Sequence, residues 1–229
     1  MSESLNGDLS RRAVENVGRM AWTPSPSGTV WRKRLHLVGP PEAGQVTSVV
    51  RYEPDSSFPA HDHPGGEEIL VLEGLFSDEH GDWPKGSYLL NPEGFRHAPF
   101  SKPGCLLLVK LRQYPGRDRR HVALDTDALP WTPAATPGVS SKRLYRQEGF
   151  HDETALERWE PGTEQGEVRY PTGVEFYVLT GEFSDEAGSY PAGSWLRLPA
   201  GTAHRPRTAG GCELYVKTGG FPYLDSSRG

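Results

Sequence analysis

The chain contains one sequence twice. From Gly74 it reads GLFSDEHGDWPKGSYLLNPEGFRHAPF, and from Gly181 it reads GEFSDEAGSYPAGSWLRLPAGTAHRPR. Gly74 pairs with Gly181, Pro84 with Pro191, Gly86 with Gly193, Pro92 with Pro199 and His97 with His204, all 107 residues apart and without a gap. The match extends to Cys105 and Cys212, Lys110 and Lys217, and Arg51 and Arg158 at the same offset. Upstream, Trp22 pairs with Trp131 and Lys33-Arg34-Leu35 with Lys142-Arg143-Leu144, now 109 apart. Two copies of one sequence fold as two copies of one unit. The expected organisation is an N-terminal extension over 1–19, a first unit over 20–116, a linker over 117–127 and a second unit over 128–224.

Each copy reads as strands and turns. Ile69 to Leu72, Leu106 to Leu111, Tyr177 to Leu179 and Leu214 to Val216 are short apolar or β-branched runs, punctuated by Gly, Pro, Asp and Ser. The 27 Gly and 21 Pro argue against a helical bundle, because both residues break helix interiors. Six Trp, nine Tyr and eight Phe supply a core that disordered chains lack. Helices are expected only at Asp8 to Gly18 and Asp152 to Glu157. The fold class is all-β, with each repeat a small antiparallel barrel or sandwich.

Several function classes are excluded at this level. A formal charge of −5 gives no basic footprint for nucleic acid, and the basic run Arg117 to Arg120 reads as solvated linker. No apolar run approaches the ~18 residues of a membrane span. The segment Met1 to Gly28 lacks the apolar core of a secretory leader. Two cysteines without a CxxC pair make no disulfide framework, and both read as buried small hydrophobes. The expectation is a cytoplasmic protein, monomer or homodimer, with a small-molecule substrate and neither nucleic acid nor membrane as partner.

The chemistry concentrates in one place. His61-Asp62-His63 is followed by Pro64-Gly65-Gly66-Glu67, and His97 lies 30 residues beyond Glu67 in the same repeat. Residues i and i+2 of a strand point to one face, so His61 and His63 project together. The Pro-Gly-Gly turn re-aims Glu67 toward the same point. Imidazoles and a carboxylate together suit a divalent transition metal, and Fe(II), Mn or Ni with five or six ligands would keep open positions. The site reading is therefore His61, His63, Glu67 and His97 around one divalent metal, with Fe, Mn, Ni, Co, Cu and Zn all open.

The second repeat serves as a control. Val168 stands at the position of His61, Tyr170 at His63 and Val174 at Glu67, leaving His204 alone at the position of His97. The C-terminal unit is expected to hold no metal. Glu68 is kept as Glu175 while Glu67 is not, which makes Glu67 the ligand and Glu68 a structural acid; the reverse assignment is the alternative. Lys110 and Arg51, kept as Lys217 and Arg158, are the candidate ion-pair partners of that acid. Asp78-Glu79 recurs as Asp185-Glu186 and reads as turn chemistry. Arg96, beside His97, either lies exposed or steers an anionic substrate. Tyr88, with Phe76, Trp83 and Phe95, either lines the mouth of the barrel or fills its core.

These motifs resemble the cupin superfamily. His61-X-His63-(X)3-Glu67-(X)6-Gly74 follows its first motif except for the leading Gly, where Asp55 or Ser56 stands. Gly86-(X)5-Pro92-X-Gly94-(X)2-His97 follows its second, except that Ser101 replaces the closing Asn. More narrowly, HDHPGGEE, VLEG and RHAP are similar to the ChrR-type cupins, a group named for the C-terminal domain of an anti-sigma factor that also includes stand-alone dioxygenase-like proteins. The resemblance implies two tandem jelly-roll-like barrels, with His61, His63, Glu67 and His97 as metal ligands in the first. It implies a metal-dependent dioxygenase-like enzyme, with Fe(II) the metal favoured and Zn, Mn or Ni as alternatives; a sensing cupin lacking the sigma-binding domain, or a purely structural metal, are the other readings.

Overall fold

The structure is a computed structural model, and it describes residues 3–225. It divides into two compact units, Met1–Gly7 with Met20–Ala128, and Asp8–Arg19 with Leu129–Gly229. In the first unit the antiparallel path runs Glu3–Leu5, Val30–Gly39, Gln45–Tyr52, Cys105–Leu111, Glu67–Asp78, Ser87–Asn91 and Val122–Asp125. In the second it runs Thr132–Pro133, Val139–Tyr145, Glu153–Trp159, Cys212–Thr218, Val174–Asp185, Ser194–Leu198 and Ala13–Asn16. The central strands correspond at the sequence offset of the repeat, so the duplication is a duplication of structure.

The last strand of each path comes from an unexpected place. Val122–Asp125 pairs with Ser87–Leu90, and Ala13–Asn16 pairs with Ser194–Arg197. Ala13 and Val122 are 109 residues apart, the upstream offset of the repeat. The strand preceding the first repeat thus completes the second unit, and the strand preceding the second repeat completes the first. The expected extension 1–19 is therefore split, with 8–19 in the second unit, and the expected linker 117–127 lies within the first; both segments carry ladder strands. Arg119, expected in solvent, is buried, donates to the Pro115 carbonyl and stacks over Tyr114.

Neither expected helix forms. Ala13–Asn16 is a strand followed by a 3-10 turn over Val17–Arg19, because the edge of Ser194–Leu198 takes its backbone groups. Glu153–Trp159 is a strand in which Thr154, Leu156 and Trp159 are buried, a largely period-two pattern. Phe221–Asp225 is the one α-helix among the described residues. No helix is long and apolar enough to cross a membrane.

Alternation along Glu67–Asp78 divides its residues between two environments. Glu67 and Ile69 line the interior of the first unit, with Val30, Tyr52, Phe76, Leu107 and Val109. Glu68 turns to the other face, where the hydroxyls of Tyr88 and Tyr114 donate to it and Lys110 lies directly across the ladder. Glu175 is placed likewise, taking the Trp195 indole N–H at 3.0 Å with Lys217 across from it. The arginines pair elsewhere, Arg51 with Glu53 and Arg158 with Glu213. The lysines thus stand across the ladder from the acids kept in both repeats, and Lys217 also pairs with Asp152 at 3.1 Å.

Candidate metal centre

A two-residue ladder begins the site. His61–Asp62 pairs antiparallel with Arg96–His97, which sets His97 directly opposite His61. His63 follows, its N–H donating to the Phe95 carbonyl and its own carbonyl accepting from Gly66 and Gly94. Gly65 and Gly66 then take φ of +88° and +72°, a left-handed pair that glycine adopts without strain. A Cβ on Gly66 would lie 2.8 Å from that of Tyr114. This turn delivers Glu67 to the start of its strand.

The four side chains converge. One nitrogen from each of His61, His63 and His97 lies within 4.8 Å of the others. Nε2 of His63 is 2.9 Å from Nε2 of His97. Oε2 of Glu67 lies 3.4 Å from His63 Nε2 and 3.6 Å from His97 Nε2. Donors held about 2.1 Å from one ion stand about 3.0–3.4 Å apart in octahedral or tetrahedral arrangements. His63, His97 and Glu67 therefore have the spacing of ligands to a single divalent cation, and a nitrogen of His61 stands within 4.8 Å of the other two imidazoles.

Neighbours hold each donor. His61 donates Nδ1–H to the Pro59 carbonyl at 2.8 Å, leaving Nε2 as its lone-pair nitrogen. His97 donates Nδ1–H to Oδ2 of Asp78 at 3.0 Å, the carboxylate–histidine arrangement that orients metal-binding imidazoles. Burial pulls the His63 pKa down, against the charge of Glu67, and so keeps its ring neutral. At His97 burial acts the same way, but the hydrogen bond to Asp78 and the charge of Glu67 outweigh it and push the pKa up. Asn91 lies across the ladder from Glu67 and donates to its Oε2 at 3.0 Å.

Two of these supports lie outside the ligand set that the sequence suggests. Turn chemistry accounts for only half of Asp78, whose Oδ1 accepts N–H groups from His80 and Gly81. Its other oxygen holds His97. Asn91 carries a usable signal, since Leu198 replaces it in the half that lacks the ligand set.

The two candidate substrate contacts lie elsewhere. Tyr88 is fully buried and donates to Glu68 at 2.5 Å, on the face away from the imidazoles. Arg96 points outward, 58% exposed, in an ion pair with the equally exposed Asp62. Such a surface pair contributes little. Phe95 stacks on His121 and Trp83 packs against the core, while Phe76 lines the interior.

The donors open onto a cavity of about 400 Å³, a size typical of small-molecule sites. Its walls are mainly apolar, and Arg32, Glu42 and Arg112 stand among its polar lining residues. The second unit has larger side chains at the equivalent places. Trp159, Phe176 and Tyr170 occupy the positions of Tyr52, Ile69 and His63, and Tyr170 packs edge-on against Phe176 at 5.8 Å. His204 donates to Asp185 as His97 does to Asp78, but its Nε2 is buried without a hydrogen-bond partner.

The ChrR cupin-like domain profile matches the chain twice, over residues 10–115 and 119–222. Each match begins three residues before an exchanged strand, at Ala13 and at Val122. Among curated proteins, none matches the chain in sequence. The fold is shared with a candidate dioxygenase from Nostoc punctiforme, at TM-score 0.74 and 20% identity over 90% of this chain and 82% of the other. It is shared with YlbA from Escherichia coli, at TM-score 0.70 and 14% identity over 93% of both chains. A point mutant of the Bacillus subtilis oxalate decarboxylase OxdC gives TM-score 0.63 and 14% identity over 90% of this chain and 77% of the other.

Proposed function

The chain belongs to the ChrR cupin-like family through both of its halves, and from that premise we propose that it is a mononuclear non-haem metal-dependent oxygenase. The substrate is a small organic molecule taken into the first barrel. The observation that carries this reading is the position of the donor cluster: His61, His63, His97 and Glu67 all line the same cavity of about 400 Å³. A ligand in that cavity meets the donors directly, which a purely structural metal would not require.

Fe(II) is the metal favoured, and when bound it supplies Lewis acidity and redox capacity toward dioxygen. The protein supplies the rest. Asp78 and the Pro59 carbonyl fix the tautomers of His97 and His61. Asn91 holds Glu67, which would have to leave the metal before accepting a proton from an enolisable substrate. The apolar walls exclude water and so strengthen every charge interaction inside.

The test combines metal analysis with oxygen uptake. Freshly purified protein is expected to carry iron, and His61→Ala to lose it. Iron-loaded protein is expected to consume O₂ with at least one member of a panel of diketones, aryl ketones and flavonols, and His61→Ala with none. Stoichiometric zinc together with silence across the panel would overturn the reading.

A further inference from the structure

Arg112 stands in a backbone conformation that arginine does not favour. It follows Leu111, which lies across the ladder from Glu67, and its φ is +59°. Side chains with a Cβ adopt this left-handed region at a steric cost. The residue 107 positions later is Gly219, with φ of +69°. The second repeat thus makes the same turn with the unstrained residue. The first carries an arginine there, and Arg112 is among the residues that line the cavity. Arg32, the other lining cation, also has no cationic counterpart, since Ser141 stands 109 positions on. Both cations occur in the repeat that has the donor set.

The two lining arginines are partnered differently. Nη1 of Arg32 donates to both oxygens of Glu42 at 2.7 and 2.8 Å, and Arg34 reaches the same carboxylate at 3.3 Å. Arg112 donates to two backbone carbonyls, Gly44 at 3.4 Å and Glu42 at 3.3 Å. Among the described residues it has no carboxylate partner within ion-pair distance. Arg32 and Arg34 thus share the Glu42 carboxylate, and Arg112 is left to backbone carbonyls. The neighbouring walls, Val50, Phe58, Ile69, Leu107, Val109 and Leu111, are apolar.

We propose that the cavity takes a small carboxylic acid with an apolar or aromatic body. Arg112 binds the carboxylate, and the body lies against the apolar walls toward His61, His63, His97 and Glu67. The inference rests on reading this cavity as the substrate site. A planar carboxylate matches the guanidinium fork of Arg112, whereas a cationic group placed there meets a like charge. A neutral ligand would leave the guanidinium with only its two long contacts to backbone carbonyls.

The test titrates 4-phenylbutanoate and its neutral amide, 4-phenylbutanamide, into metal-free and Zn(II)-loaded protein by calorimetry. The acid is expected to bind about tenfold more tightly than the amide. Arg112→Gly is expected to bring the two within about twofold by weakening the acid alone. This variant is expected to fold, with Tm equal or higher, because Gly219 already makes the same turn. Equal affinities in the wild type, no binding of either probe, or a preference that survives Arg112→Gly would each overturn the proposal. Failure of the oxygenase reading looks different: the acid preference is present, but no substrate drives O₂ uptake.

Discussion

Asn91 donates to Oε2 of Glu67 at 3.0 Å from the opposite strand, and Leu198 faces Val174 at the same place in the second unit. The amide and the carboxylate are present together and lost together. The pair therefore acts as one device, in which the amide fixes the carboxylate toward the imidazoles. Asn91→Leu is expected to weaken metal binding about 10–100-fold, the usual effect of losing an outer hydrogen bond to a ligand. Competition against a chelator with Zn(II) or Co(II) measures it. Unchanged affinity would detach Asn91 from the site.

Asp185 carries a charge that the second unit depends on. Burial opposes its ionisation, yet the Arg12 guanidinium at 2.7 Å, the Ala187 N–H and His204 outweigh this and hold its pKa at about 2. The folded pKa lies below the ordinary value of 3.8, so the linked stability is present above that value and is lost as pH falls toward 2. Arg12→Met is expected to cost about 2 kcal/mol near neutral pH by removing the guanidinium paired with that buried carboxylate, which keeps its hydrogen bonds from Ala187, Tyr190 and His204. Urea unfolding at pH 6 and pH 2.5 should show this gap shrinking in acid. A gap of constant size would remove Asp185 as its source.

The two thiols make a simpler case. Burial pushes Cys105 up to about 11 and Cys212 up to about 12, against the hydrogen bonds they make. Reactivity follows the thiolate, so both should be inert at pH 8. A thiol-reactive chromophore is expected to label native protein negligibly and to count two thiols in denaturant. Rapid labelling of the native protein would contradict the burial of both side chains.

What is legible in the sequence follows from comparing the two halves. The ligand set stands out because Val168, Tyr170 and Val174 erase it, and Glu68 separates from Glu67 by the same contrast. Asp78 escapes that contrast, because Asp185 keeps the same hydrogen bond to a histidine after the other donors are gone. Ala13–Asn16 does not read as a strand because its partner lies about 180 residues away, and a four-residue edge strand carries almost no local signal. Arg112 leaves only one trace in the sequence, the glycine at the paired position 219. That trace gains meaning once the backbone angle shows that both residues make a left-handed turn.

The same comparison supplies a way to close the cavity without disturbing the fold. Ile69 lines the cavity, and Phe176 occupies its place in the second unit, packed against Phe183 at 5.5 Å. Phe76 stands where Phe183 does, so a phenylalanine at position 69 has an aromatic neighbour waiting for it. Ile69→Phe should fill empty volume rather than overpack, which predicts Tm unchanged or raised. Metal affinity should hold, because Glu67 and Asn91 keep their contact. Binding of cavity ligands should fall by at least about tenfold, the scale on which a filled pocket rejects a molecule it no longer fits. Calorimetric titration with the wild type as reference measures this. Ligand affinity that survives the substitution would place the binding site outside this barrel.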